Sequence, residues 1–369
     1  MKLSIDWLLL GFLLPIIGAG LITMNSFVGE TAFVGKQLAW VGIGLAVFFI
    51  FSFIDFRFLR RTDVLITLFI LFSGFLVTLL FFGESVRGAK SWFQFGGFAW
   101  QPTDFMKLVL ILILAKYFSR RHVEIRHFKH IFISGLYALV PFTLVFWQPD
   151  LGSAIIIFLI WLGLAIVAGI SKKHLLLIFL IVLLVLIVFW FFLLEPYQKD
   201  RILVFLHPLA DLSGAGYNAY QSTIAVGSGE LFGKGVGYGT QSRLQFLPEY
   251  ETDFIFAAFA EEWGFVGSAL LLILFCLVIW RILRVALVGA SNFEILFGIG
   301  VAILFVSQMV VNIGMNVGLL PVTGLPLPFM SYGGSHLLAE FVALGILAGM
   351  RRQARIAHPD DLKHEFVGF

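Results

Sequence analysis

Apolar residues run along this chain in long blocks broken by short polar punctuation, at about residues 5–25, 37–54, 64–82, 104–118, 131–148, 153–170, 174–194, 253–280, 294–317 and 335–350. A helix needs roughly 20 apolar residues to cross about 30 Å of hydrocarbon. In lipid it also satisfies its own backbone hydrogen bonds. The pattern therefore predicts an all-α integral membrane protein with about ten transmembrane helices. The first block runs into Asn25-Ser26-Phe27 and then another apolar stretch, with no small-residue cleavage site, so it is predicted to stay as the first helix. Residues 1–369 read as a single polytopic membrane domain.

An even number of spans puts both termini on one side. Sixteen of the 25 Lys and Arg fall in the segments on that side and seven in the opposite ones, so the positive-inside rule predicts cytoplasmic termini. Three segments predicted to be extracytoplasmic, about 83–103, 195–252 and 318–334, carry the polar chemistry. The second is a large loop between the seventh and eighth helices. Tyr217, Tyr220, Phe232 and Phe246 are threaded among its glycines, which predicts folding against the membrane surface. Gly233-Lys234-Gly235 has a superficial phosphate-loop look, but it lacks the Gly-Lys-Ser/Thr ending and the strand-to-helix setting.

Composition agrees: 60% of the 369 residues are hydrophobic, 13% are charged, and the mean hydropathy is +0.99. The net charge of +3 follows from the sorting of Lys and Arg to one face. No basic run with interleaved aromatics is present, which excludes nucleic-acid binding. The lone cysteine, Cys276, excludes an intrachain disulfide and a Cys-based metal site.

An ionisable group in an apolar helix costs about 2.5–3.5 kcal/mol on insertion scales, so each one asks for a partner or a task. Asp104 and Lys107 share a helix face, either as an N-cap and a snorkelling stem or as a functional pair. Asp150 and Ser153 read first as caps, and Asp253 has a capping reading too. Glu261 lies eight residues beyond Asp253, roughly 12 Å along the helix. It requires a cation, with Lys107 or a loop arginine as candidates, or else a proton. The second, fourth, sixth, eighth and tenth helices all start on the extracytoplasmic side. Helix N-termini suit a phosphate or pyrophosphate, and Arg87, Lys90, Lys234 and Arg243 from the loops are placed to add charge-assisted bonds. Each of these basic residues, taken alone, is equally read as part of a structural salt bridge.

Six stretches carry a family resemblance: Arg87-Gly88-Ala89-Lys90-Ser91-Trp92; Gln101 to Lys107; Gln148 to Ser153; Gly216-Tyr217-Asn218 to Gln221-Ser222; Phe246 to Glu249 with Thr252 to Phe256; and Leu319 to Ser335. In this order they resemble the signatures of the SEDS (shape, elongation, division and sporulation) family, the elongation members more than the division members. The resemblance implies a peptidoglycan glycosyltransferase that polymerises lipid II, partnered by a class B penicillin-binding protein and other elongation-complex proteins. It places the family's essential carboxylate on Asp253 and its conserved acid and lysine on Asp104 and Lys107. Gln221, Glu249, Ser331 and Ser335 fall within the matching motifs and join Arg87, Lys90, Asp150, Lys234 and Glu261 as candidate substrate-binding residues. A divalent cation, Mg or Mn, held by carboxylates is a further expectation. Four positions depart from the family pattern: Asp104 where Glu is common, His336 where a second Ser is typical, and His207 and Glu230 in the long loop. The rival readings are a flippase for lipid-linked oligosaccharide, a non-catalytic scaffold, and a polymerase or ligase acting on another lipid-linked glycan.

Overall fold

The computed structural model describes residues 6–26, 31–86, 89–95, 98–120, 128–193, 199, 203, 205, 216–244 and 246–357. Ten long helices follow the ten apolar blocks. They are α1 (Trp7–Asn25), α2 (Thr31–Phe53), α3 (Thr62–Phe82), α4 (Pro102–Ser119), α5 (Phe128–Phe146), α6 (Leu151–Val167) and α7 (Lys172–Val188), then, after the short α8 (Tyr217–Ser228) and α9 (Thr240–Arg243), α10 (Ile255–Ala286), α11 (Asn292–Asn316) and α12 (Gly334–Ala357). The chain is a multi-pass, all-α membrane protein.

Seven of the ten are long and apolar enough to span a membrane by length and composition alone, and α6 is somewhat shorter. The other two, α4 and α12, carry charged side chains, among them Asp104, Lys107 and Lys116, and His336, Glu340 and Arg351. Their place in the bundle explains how they tolerate them. Fourteen of the 18 residues of α4 are buried, Asp104 and Lys107 among them, so these two charges face protein instead of lipid. By contrast α7 exposes Phe179, Leu184 and most of its neighbours, the lipid-facing pattern of a peripheral helix.

One predicted loop proves to be regular structure. Residues 83–103 contain β1 (Glu84–Val86), β2 (Ala89–Phe95) and β3 (Phe98–Trp100), paired antiparallel in the order β1-β2-β3. Phe93 opposes Trp100 in this register, and their rings stack 6.0 Å apart. Trp100 also meets Phe75 of α3 at 5.1 Å, which seats the sheet on the bundle end.

The opposite end is closed by charge. Asp6 caps α1 by accepting from Leu9 N, and it binds Arg281 of α10 and Arg351 of α12. Nearby, Arg60 pairs with Glu294 while Lys116 donates to the Arg60 carbonyl.

Helix α10 is broken at Gly264, whose φ of +67° and ψ of −166° a side chain would strain. The break frees backbone groups that residues 230–235 take up. Lys234 N and Gly235 N donate to the Glu261 and Glu262 carbonyls, and Phe265 N and Val266 N donate to the Glu230 and Leu231 carbonyls. Part of the long loop is thus plugged into a membrane helix, and non-helical backbone at that depth has its partners.

Candidate active site

The N-terminal ends of α2, α4, α6, α10 and α12 converge at the sheet-bearing end of the bundle, as the alternation of spans predicts. Gln37 of α2 donates to the Ser331 carbonyl at 3.1 Å. Gln101, ahead of α4, donates through Nε2 to Asp150 Oδ2 at 3.2 Å and through its backbone N–H to Ser335 Oγ at 3.0 Å. Asp150 is also the cap of α6, accepting from Ser153 N at 2.9 Å, as its position suggests. A Cβ on Gly152 would strike the Thr323 carbonyl at 2.8 Å, so α6 starts directly against the 318–333 segment.

Asp253 stands within this convergence, half-buried, two residues before α10 begins. Phe254 holds the N-cap position of that helix and its own side chain makes no capping bond; the first-turn N–H of Ala257 is taken by Asn316 Oδ1. The Asp253 backbone is fixed from the side. The Asp253 carbonyl accepts from Asn312 Nδ2 at 3.0 Å and Asn316 Nδ2 at 3.1 Å. The adjoining Thr252 carbonyl accepts from Ser331 Oγ at 2.6 Å, and the Glu251 carbonyl accepts from Tyr332 N at 2.8 Å. Asn312 Nδ2 also donates to Leu325 O, and Asn316 Oδ1 accepts from Ala257 N. Two amides on α11 therefore tie three segments together around one aspartate. A Cβ built on Gly324 would approach Asp253 Oδ2 to 3.4 Å, and Gly324 has φ +72°. A glycine is needed there for its conformation.

Asp104 and Lys107 form an ion pair at 3.1 Å with each side chain only 3% exposed. Lys107 is therefore not a snorkelling stem. On the other side of Asp104 stands His336 of α12, its Nδ1 3.4 Å from Asp104 Oδ1.

Glu261 is completely buried, and its cation is neither Lys107 nor a loop arginine but Lys234, with Nζ 2.7 Å from Oε1. The same carboxylate accepts from Thr240 N, Thr240 Oγ1 and Gln241 N. Sequence reasoning missed this pair because the strap that delivers Lys234 depends on the break at Gly264. Both residues are engaged with each other inside the fold. Glu249 sits in a turn at φ +53° and takes a 3.3 Å contact from Thr252 Oγ1. Gln221 lies half-buried on α8, next to Ser222, whose hydroxyl donates to the Asn316 carbonyl. Arg87 and His207 lie outside the described residues, and Lys90 belongs to β2.

The profile of the FtsW/RodA/SpoVE family, described as cell cycle proteins, matches residues 2–356. The chain belongs to this family. It is 35% identical over 364 residues to the stage V sporulation protein E of Bacillus subtilis strain 168, covering 96% of this chain and 99% of that one. It is 38% identical over 281 residues to the peptidoglycan glycosyltransferase MrdB of Escherichia coli K12, covering 76% of each. Among solved structures it resembles a chain from work on polymerization and crosslinking by a peptidoglycan synthase complex, with TM-score 0.82, 31% identity and coverage of 95% and 99%. It also resembles the rod shape determining protein RodA of Thermus thermophilus, with TM-score 0.72, 29% identity and coverage of 95% and 98%.

For this FtsW/RodA/SpoVE member, the residues the motifs did not reveal are Asn312 and Asn316. Their signal was present, two amides four apart on one face of an apolar helix. The other omission is Glu340, which lies 2.9 Å from His336 Nε2. Among the described residues no three His, Cys, Asp or Glu side chains gather as metal ligands.

Proposed function

We propose that this FtsW/RodA/SpoVE member is a peptidoglycan glycosyltransferase that polymerises lipid II into glycan strands for cell elongation. In this reading both termini lie in the cytoplasm and Asp253 works at the extracytoplasmic face of the bacterial inner membrane. Family membership over nearly the whole chain supports the reaction class, and the charge asymmetry of the loops supports the orientation. The observation that carries the reading is the setting of Asp253: a half-buried residue with its carboxylate beside Gly324 and its backbone held by Asn312 and Asn316.

The chemistry follows from the groups available. Asp253 accepts the proton of an acceptor sugar hydroxyl as that oxygen bonds to the donor anomeric carbon. The bond from that carbon to the lipid pyrophosphate breaks, and the pyrophosphate leaves with the electron pair. One carboxylate base and inversion at carbon match the logic of inverting glycosidases, with a sugar hydroxyl in place of water. Pyrophosphate needs charge neutralisation more than a proton donor. The gathered helix N-termini supply a positive field, and the family resemblance offers Arg87 and Lys90 as candidate binding residues for the same group. Mg or Mn finds no group of three ligands among the described residues, so no step is routed through it. A class B penicillin-binding protein fits as partner, because the similar chain of known structure comes from work on a synthase complex that joins polymerization to crosslinking.

The test is lipid II polymerisation by Asp253→Asn and Asp253→Ala in protein that folds and elutes as the wild type does. Loss of general base catalysis lowers the rate by about 10²–10⁴. Wild-type rates from either variant would overturn the assignment.

A further inference from the structure

Four charged or chargeable side chains form one buried row between α4 and α12. Lys107 Nζ lies 3.1 Å from Asp104 Oδ1, and His336 Nδ1 lies 3.4 Å from the same oxygen. His336 Nε2 then lies 2.9 Å from Glu340 Oε1. That last approach is close but off the hydrogen-bond direction, since neither atom has a directed partner, so it is a charge contact. None of the four side chains is more than 7% exposed.

The row ends on a strained turn. Glu340 Oε2 accepts from Phe329 N at 2.9 Å, and Phe329 holds a left-handed φ of +59°. Such a conformation persists in a bulky residue only where its surroundings fix it. Here those are the carboxylate and the Phe305 and Phe341 rings at 5.3 and 5.6 Å. Two residues on, Ser331 Oγ donates to the Thr252 carbonyl next to Asp253. The chain of contacts thus runs from Lys107 to the backbone beside Asp253.

Charge explains why a histidine occupies the centre. Asp104 and Glu340 bring two negative charges and Lys107 one positive, and a buried surplus charge is costly. Both nitrogens of the His336 ring face carboxylate oxygens, and both donate only in the imidazolium. With the ring protonated the four groups sum to zero.

We propose that His336, as an imidazolium held by Glu340, is a positioning residue that sets the Asp104–Lys107 pair and couples it to the turn supporting Asp253. This rests on the glycosyltransferase reading above.

The experiment measures kcat and KM for lipid II polymerisation by the wild type, His336→Gln, Glu340→Gln, Asp104→Asn and the His336→Gln/Asp104→Asn double variant, each in the full chain with its melting temperature. Loss of positioning predicts a kcat lower by about tenfold or more in His336→Gln, with KM within about threefold. In the Asp104→Asn background the same change is expected to add almost nothing, since His336 acts through Asp104. Normal kcat in His336→Gln, or losses that multiply in the double variant, overturns the proposal. In ¹⁵N-histidine spectra at pH 7, the signal that vanishes in His336→Gln is expected to show two protonated nitrogens and to move in Asp104→Asn. A neutral tautomer also overturns it. An inactive wild type is a different outcome and counts against the glycosyltransferase reading itself.

Discussion

Asn312 Nδ2 donates to two backbone carbonyls from different parts of the chain, that of Asp253 at 3.0 Å and that of Leu325 at 2.7 Å. Asp253 precedes α10, and Leu325 follows the glycine that faces the Asp253 carboxylate. One amide therefore sets the distance between the candidate base and the wall opposite it. Replacing Asn312 by Leu takes the side-chain donor from the Leu325 carbonyl, at about 1–3 kcal/mol for a buried group left unsatisfied, and leaves the Asp253 carbonyl with Asn316 Nδ2 alone. The turn is then free to shift, and displacements of about 1 Å at a reacting centre cost on the order of 100-fold. Asn312→Leu is expected to polymerise lipid II at least tenfold more slowly with a melting temperature lowered by several degrees. Asn312→Asp keeps the volume but cannot donate, and it is expected to behave similarly. Polymerisation rates and thermal unfolding in detergent check both.

The Asp104–Lys107 pair predicts a separation of stability from activity. Removing one partner of a buried ion pair strands the other charge and costs about 3–5 kcal/mol. Lys107→Met should therefore melt well below the wild type. Adding Asp104→Asn removes the stranded charge, so the double variant is expected to recover most of the stability. It is not expected to recover turnover, because the Lys107–Asp104–His336 row that leads to the backbone beside Asp253 is broken. Recovery of both would make the pair purely structural.

How much of this was legible in the sequence depends on the range of the interactions. The ten long helices could be read because each is a local run of apolar residues, and their alternation across the membrane says which ends meet. The β1–β3 sheet could not be read: its strands are of three, seven and three residues, and Trp100 is held mainly by rings on other elements. Asn312 and Asn316 were visible as polar residues in an apolar helix but carry no charge, so a search for ionisable groups passed over them. Two departures from the family pattern, Asp104 and His336, are 232 positions apart in the chain and prove to touch. Only folding reveals that they belong together.

The strap at Gly264 predicts an asymmetry between the two residues of the Lys234–Glu261 pair. Lys234 is partly exposed, with 29% of its side chain accessible, so water can take its place beside Glu261 Oε1 when the lysine is removed. Glu261 is fully buried and receives Thr240 and Gln241 amides as well as the lysine. Lys234→Ala is expected to keep its melting temperature within a few degrees and polymerise within about threefold of the wild type. Glu261→Ala leaves several donors unsatisfied and is expected to be strongly destabilised. A Lys234→Ala variant that folds normally but loses lipid II turnover would return Lys234 to the substrate site.

Tyr332 supplies a prediction in pH. Burial of its phenol, with the negative Glu251 nearby, holds its pKa above the ordinary value of 10.0. The folded state thus keeps this proton where the unfolded chain gives it up. The contribution to stability is complete below pH 10 and is lost as pH rises through the folded-state value. The midpoint of the phenolate absorbance missing from Tyr332→Phe relative to the wild type should therefore lie above the ordinary value of 10.0. Its ring meets Phe33 at 5.0 Å and its amide donates to Glu251, and both contacts survive the change to Phe. Tyr332→Phe is accordingly expected to match wild-type stability at pH 7 and to lose less of it between pH 10 and 11. A midpoint at or below 10 would mean that the 318–333 segment opens to water, and with it the support beneath Asp253.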